Sequence, residues 1–128
     1  MRVYVPMLLG ELAAVPAPGR LPERAPFAVT DAVRALDPTA DEEDLEFEAM
    51  CQALDAARDL GPGRRVVASA DLPDAPGTGD GGRLDAAVVV ELADIVSFHV
   101  EEDEGEVGAG YDDLLWYDVT ELADLAAE

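Results

Sequence analysis

Hydrophobic and polar residues alternate with a period of two in several short segments, which is typical of β-strands with one buried face. In the first of these segments Val3, Val5 and Met7 fall on the same face. The run over residues 86–92 is continuously apolar, as expected for a strand covered on both faces. Strands are predicted over residues 2–6, 26–30, 64–72, 86–92 and 95–100.

Helical spacing is clearest between residues 40 and 60. Thr39 and Glu42 have the spacing of a capping box, and Gly61 follows the predicted end of the helix. The apolar stripe expected to face the core consists of Phe47, Met50, Cys51, Leu54 and Ala57, with Glu46, Glu48, Asp55 and Asp59 facing water.

Shorter helices are predicted over residues 7–15 and 31–36, the second with Asp31 as its N-cap. The last segment, residues 111–128, fits either a strand over 114–119 followed by a helical turn, or a helix throughout. The sequence leaves both alternatives open.

Strands and helices in this order predict an α+β or α/β fold, built as a two-layer sandwich. We expect a mixed sheet of about five strands, with the helices mainly on one face. A chain of 128 residues suits one domain spanning residues 1–128. Flexible loops are predicted near residues 16–25, 73–83 and 101–110, where proline, glycine or acidic residues accumulate.

The net charge of the chain excludes some classes of binding partner. The chain has 29 acidic and 8 basic residues and a net charge of -21, although 49% hydrophobic residues still provide for a core. Phosphate backbones and anionic membranes repel such a surface, so we predict neither direct nucleic-acid binding nor membrane binding. A basic protein is a possible partner, and solvation of the protein is the alternative reason for the acidity. All basic residues are Arg, and Lys and Asn are absent, which indicates a GC-rich genome.

Cys51 is the only cysteine, so an intramolecular disulfide and a CxxC site are excluded. The N-terminal apolar stretch is interrupted by Pro6, Gly10 and Glu11, and does not resemble a signal peptide. No apolar run reaches the ~18 residues that a membrane helix needs. These features predict a cytoplasmic protein.

Ser97 and His99 are the strongest candidates for catalytic chemistry, because strand alternation puts both side chains, together with Ile95, on one side of a strand. A serine nucleophile also needs an orienting acid, and no GxSxG motif is present. An edge-strand or solvent-facing histidine therefore explains the pattern better than Ser-His catalysis does.

Metal and phosphate sites are not indicated. The acidic runs over residues 41–44 and 101–104 lack the EF-hand spacing, and are explained by a helix dipole and a solvated loop. The glycine-rich run over 77–82 contains no Lys, and an apolar strand follows it instead of a helix. We predict no metal and no cofactor. Arg64, Arg65 and Arg83 suit either an anionic ligand or, more simply, surface ion pairs.

Trp116 and Tyr117 stand together near the end of the chain. Such aromatic residues often anchor a binding partner. In a domain with only 5% aromatic residues, however, Trp116 is expected to pack in the core.

Six segments resemble a group of small, acidic proteins from high-GC bacteria that is known only as a domain of unknown function. The segments are MRVYVPM, PFAVTDAVRAL, EEDLEFEAM, RRVVASADLPD, SFHVEE and LLWYDVTEL. The resemblance implies a single cytoplasmic bacterial domain and supplies no catalytic residue.

Three functional hypotheses follow. The first is a non-enzymatic acidic module that binds a basic protein, with a mimic of nucleic-acid charge as its narrower form. The second is a small-molecule binder or enzyme with a pocket lined by Tyr4, Arg65, His99 and Tyr117. The third attributes the charge to solvation alone. A free sheet edge would allow a homodimer as well as a monomer.

Overall fold

Four antiparallel strands form the sheet in the computed structural model, which describes residues 1–15, 19–72, 82–84 and 87–127. The strands lie side by side in sequence order, and each pairs with the next. Their bounds are β1 Arg2–Leu8, β2 Arg65–Asp71, β3 Ile95–Val100 and β4 Leu115–Asp118. The prediction of a mixed sheet is therefore wrong, because all three pairings are antiparallel.

Two predicted strands form only isolated bridges in the described residues. Phe27 bridges Tyr4 and Arg83, and Val88 bridges Arg24. Proline at position 26 has no N–H to donate to a ladder, which limits pairing there. The sheet accordingly has four strands in the described part of the chain, and not about five.

Helices occupy most of the predicted positions. The α-helices are α1 Asp31–Leu36, α2 Glu42–Ala57 and α3 Leu122–Ala126, and 3₁₀ turns cover Leu9–Ala14, Arg58–Leu60, Leu92–Asp94 and Val119–Glu121. The C-terminal segment thus takes the first of its two alternatives, a strand followed by a helix. None of the described helices is long and apolar enough to cross a bilayer.

The N-caps of α1 and α2 lie one and two residues, respectively, from the predicted positions. Thr30 accepts a hydrogen bond from the backbone of Val33 and caps α1, in place of Asp31. Asp41 caps α2 by accepting from the Asp44 backbone at 2.9 Å. The Thr39 hydroxyl instead donates to Asp37 within the preceding turn, so the predicted capping box does not form.

Helices pack on both faces of the sheet. The larger core lies on one face, where strand residues such as Phe98 pack with the 3₁₀ turn at Leu12 and with Leu125 of α3. α2 packs on the other face, over β1 and β2, and buries Ala53 and Leu54 there. The prediction that the helices lie mainly on one face is therefore wrong. On the face where α2 packs, the helix does not cover β3 and β4.

A register shift between Ser69 and Ala70 changes which β3 residues share a face. Ile95 joins the larger core with Phe98, whereas Ser97 and His99 remain together on the α2 side. The prediction that Ile95 lies on the same side as Ser97 is therefore wrong, because strict alternation does not hold across the bulge.

Candidate functional site

An open groove lies between α2 and the exposed face of β3 and β4. Its volume is about 360 Å³. It arises because α2 covers β1 and β2 but leaves the same face of the next two strands free. The groove is lined by Arg2, Tyr4, Glu43, Glu46, Phe47, Met50, Ser69, Val96, Ser97, His99 and Trp116.

The floor of the groove is a hydrogen-bonded cluster around His99. Its Nε2 atom lies 3.1 Å from the hydroxyl of Ser69 and 3.4 Å from that of Ser97. The antiparallel pairing of β2 with β3, which places Ser69 opposite Ser97, brings the three side chains together. The predicted proximity of Ser97 and His99 is confirmed.

Two titratable groups on this floor are uncharged near neutral pH. Burial lowers the pKa of His99 below its ordinary value of 6.5, and the positive charge of Arg2 adds to this effect. Burial, together with the negative charge of Glu46, raises the pKa of Tyr4 to about 12. The floor therefore offers neutral donors and acceptors.

Large apolar side chains form the walls, although they are open to solvent. Trp116 is 60% exposed and Phe47 is 42% exposed. Both were predicted to face the core, and both predictions are wrong. Phe47 lies on the flank of α2 beyond the strands that the helix covers, and Trp116 pairs with His99 on the uncovered face of β4.

Acidic residues lie along the wall formed by α2. Glu43 and Glu46 both line the groove. Arg2 is the basic residue of the lining, and its Nε lies 2.7 Å from Asp71, which balances its charge. No ion pair involves Glu43 or Glu46 within the described residues. The groove consequently has a negative rim.

The five residues singled out from the sequence separate into three locations. Tyr4, His99 and Trp116 meet in the groove. Tyr117, the neighbour of Trp116, points to the opposite face and packs against the larger core. Arg65 lies in a buried ion pair away from the groove.

The buried ion pair joins Arg65 of β2 to Glu101, directly after β3. Arg65 is fully buried, and one of its terminal nitrogens lies 2.9 Å from a carboxylate oxygen of Glu101. The same guanidinium nitrogen donates to the carbonyls of Glu106 and Ala109. The predictions of a surface ion pair for Arg65 and of a solvated Glu101 are wrong, because both side chains are buried where β2 begins and β3 ends.

Neighbouring arginines also bind the segment after β3. Arg58 donates to the Gly105 carbonyl at 2.6 Å, and Arg64 donates to the Glu101 carbonyl at 2.7 Å. The acidic segment is thus attached at several points to the start of β2 and to the connection between α2 and β2. Its predicted flexibility stays a prediction, and residues 16–18 and 73–81 of the other two loops lie outside the described residues.

A family comparison matches nearly the whole chain. The matching family is described as a family of unknown function, DUF6912, and the match covers residues 1–126. The chain belongs to this family. The resemblance to a domain of unknown function is confirmed, and the bacterial, high-GC origin stays a prediction. No curated protein and no solved structure matches this DUF6912 chain.

The groove of the DUF6912 chain lacks the complete arrangement of a serine hydrolase. In the described residues the hydrogen bonds of the His99 ring run to two hydroxyls and none runs to a carboxylate. Cys51 of α2 is buried and is not among the groove-lining residues, and burial raises the pKa of its thiol to about 12, so the thiolate is strongly disfavoured. No described cluster of three or more His, Cys, Asp or Glu side chains could hold a metal ion.

Several groove residues were not identified as site residues from the sequence, among them Ser69, Glu46 and Phe47. Ser69 carried a usable signal, because it is the one hydroxyl on the polar side of an otherwise apolar strand. Glu46 and Phe47 carried none, since helical periodicity does not show how much of the sheet a helix covers.

Two other cavities offer less chemistry. One, of about 440 Å³, lies between the turn at Leu92 and α3, and Thr120 is its only lining residue with a polar side chain in the described chain. Another, of about 500 Å³, is lined by the turn at Glu11, by residues 20–23 and by Val89, and its acidic residue Glu11 is already paired with Arg24. The groove at His99 combines aromatic, acidic and hydroxyl groups and is the best candidate site.

The titration of His99 is the first testable consequence. We expect the C2 proton of this histidine, the only one in the chain, to titrate below pH 6.5 in NMR spectra. Because the folded-state pKa is lowered, the unfolded state binds its proton first as the pH falls. Stability should therefore decrease on acidification below 6.5, before the carboxylates titrate.

The control for this titration is His99→Gln, which should remove the loss of stability that begins below pH 6.5. A histidine that titrates at or above 6.5 would show that the floor is solvated and contradict its description as partly buried and neutral.

Proposed function

We propose that this protein is a non-enzymatic binding module whose groove takes a positively charged, partly apolar segment of another protein. One observation carries the proposal: Trp116 and Phe47 are exposed in the same groove that Glu43 and Glu46 line. Exposed aromatic residues are typical of interface anchors, and the unpaired carboxylates favour a basic partner.

A different protein suits this surface better than a second copy does. Each copy has a net charge of -21, so two copies repel each other. The free edge of the sheet is also short, since β4 has four residues. The backbone N–H of Asp118 at this edge already donates to Glu121, which limits strand addition.

A small neutral molecule is the second candidate ligand. The cluster of His99, Ser69 and Ser97 supports it, because these groups provide uncharged hydrogen bonds inside a recess. The openness of the groove and the exposure of Trp116 favour a segment of protein that covers the aromatic wall.

Selection from a displayed library of random peptides tests the proposed function. We expect the immobilised protein to enrich peptides that have a net positive charge and at least one large apolar side chain. Trp116→Ala should weaken their binding by about tenfold or more, as is typical of an aromatic anchor. Added salt should weaken the binding further.

The matched control is Leu36→Ala, which removes another exposed apolar side chain, 65% exposed on α1 and outside the groove. It should leave binding unchanged. A selection without enrichment, or peptides that bind equally to Trp116→Ala, would contradict the proposed function.

A further inference from the structure

We propose that the groove recognises one aliphatic cation, an alkylammonium or alkylguanidinium group, between its aromatic walls. This inference deepens the proposed function and rests on it: in a bound protein segment, the cation would be a lysine or arginine side chain. The carrying observation is the placement of three aromatic side chains and two carboxylates around one recess.

The aromatic residues come from three different elements. Tyr4 belongs to β1, Phe47 to α2 and Trp116 to β4, and all three line the groove. The face of an aromatic ring is electron-rich and attracts a cation placed within about 6 Å of the ring centre. Tyr4 is only 5% exposed and lies in the floor, whereas Phe47 and Trp116 form the exposed walls, so aromatic side chains border the recess on more than one side.

The charges of the groove-lining residues favour a cation over an anion as the ligand. Glu43 and Glu46 are both on the groove, and Glu46 is close enough to Tyr4 to help raise its pKa. Arg2 is the opposing charge, but it is bound to Asp71 through two hydrogen bonds of 2.7 and 3.3 Å. The balance of the groove is therefore negative, and an anionic ligand is repelled.

The floor accepts hydrogen bonds without adding positive charge. The hydroxyls of Ser69 and Ser97 have lone pairs available to N–H donors of an ammonium or guanidinium group. A protonated imidazole at the same place would repel the ligand, and burial of His99 disfavours this form. Walls, rim and floor thus favour the same ligand chemistry.

A titration with a matched pair of small probes tests this inference. n-Butylammonium and butan-1-ol have the same carbon chain, and only the ammonium is charged. Trp116 is the only tryptophan of the chain, so its fluorescence reports binding at the groove directly. At constant ionic strength, we expect n-butylammonium to bind about fivefold or more tightly than the neutral alcohol.

Variants that change the charge of the groove should change the affinity for the cation in opposite directions. Glu46→Gln should weaken n-butylammonium binding by about threefold, and Arg2→Gln should strengthen it, because the first removes an attractive charge and the second a repulsive one. Glu102→Gln removes the same charge from the exposed segment after β3 and should have no effect. Methylguanidinium, tested in the same way, shows whether the site prefers the planar group.

Equal binding of n-butylammonium and butan-1-ol, or no binding of either, would overturn the cation assignment. If peptides selected as above still depend on Trp116 in that case, the assignment alone is wrong and the binding function stands. If neither probe nor peptide depends on Trp116, both proposals are wrong.

Discussion

Replacement of Arg65 by leucine is expected to lower the free energy of unfolding by about 3 kcal/mol, toward the lower end of the range for a broken buried ion pair. The change leaves the Glu101 carboxylate, which is 4% exposed, without its nearest cation. Arg58 lies 3.5 Å from the same carboxylate and offsets part of the loss. The carbonyls of Glu106 and Ala109 lose a donor as well.

Urea unfolding of the variant measures this effect. The control is the double variant Arg65→Leu with Glu101→Leu, which removes both charges and should recover much of the lost stability. A loss below about 1 kcal/mol for Arg65→Leu, the size of a surface ion pair, would contradict the buried pair.

Replacement by alanine is expected to cost much more unfolding free energy at Phe98 of β3 than at Phe47 of α2. Phe98→Ala should cost about 3–5 kcal/mol of unfolding free energy, because Phe98 is fully buried in the larger core. Phe47→Ala should cost less than about 1 kcal/mol, since its side chain is 42% exposed and the helix gains alanine.

Paired urea unfolding curves measure this difference, and each variant serves as the control for the other. Peptide affinity is a second readout. Phe47→Ala should reduce the affinity for the selected peptides although the fold is unchanged. Equal destabilisation by the two substitutions would place Phe47 in the core and contradict the open groove.

The sequence was most informative about elements that obey one simple period. The bounds of β3 were predicted as 95–100 and are confirmed, and α2 lies inside its predicted range with a 3₁₀ turn at its end. The errors concern relations between elements. Periodicity identifies a face of α2 but not its position over β1 and β2, so the exposure of Phe47 was not predictable.

Site residues show the same division. Ser97 and His99 are two apart on one strand, so their proximity followed from alternation. The partner of Arg65 depends on the pairing of β2 with β3, which a single sequence does not specify. Trp116 was assigned to the core because aromatic residues are few, yet aliphatic residues supply most of the larger core. Composition did not determine which side chain fills it.

Amide NMR of the protein with a selected peptide tests whether a basic partner binds in the groove at His99. We expect the largest changes in chemical shift at the Trp116 indole and at the backbone of Ser69, Ser97 and Phe47. Changes confined to α3 and the turn at Leu92, with the Trp116 indole unmoved, would contradict it.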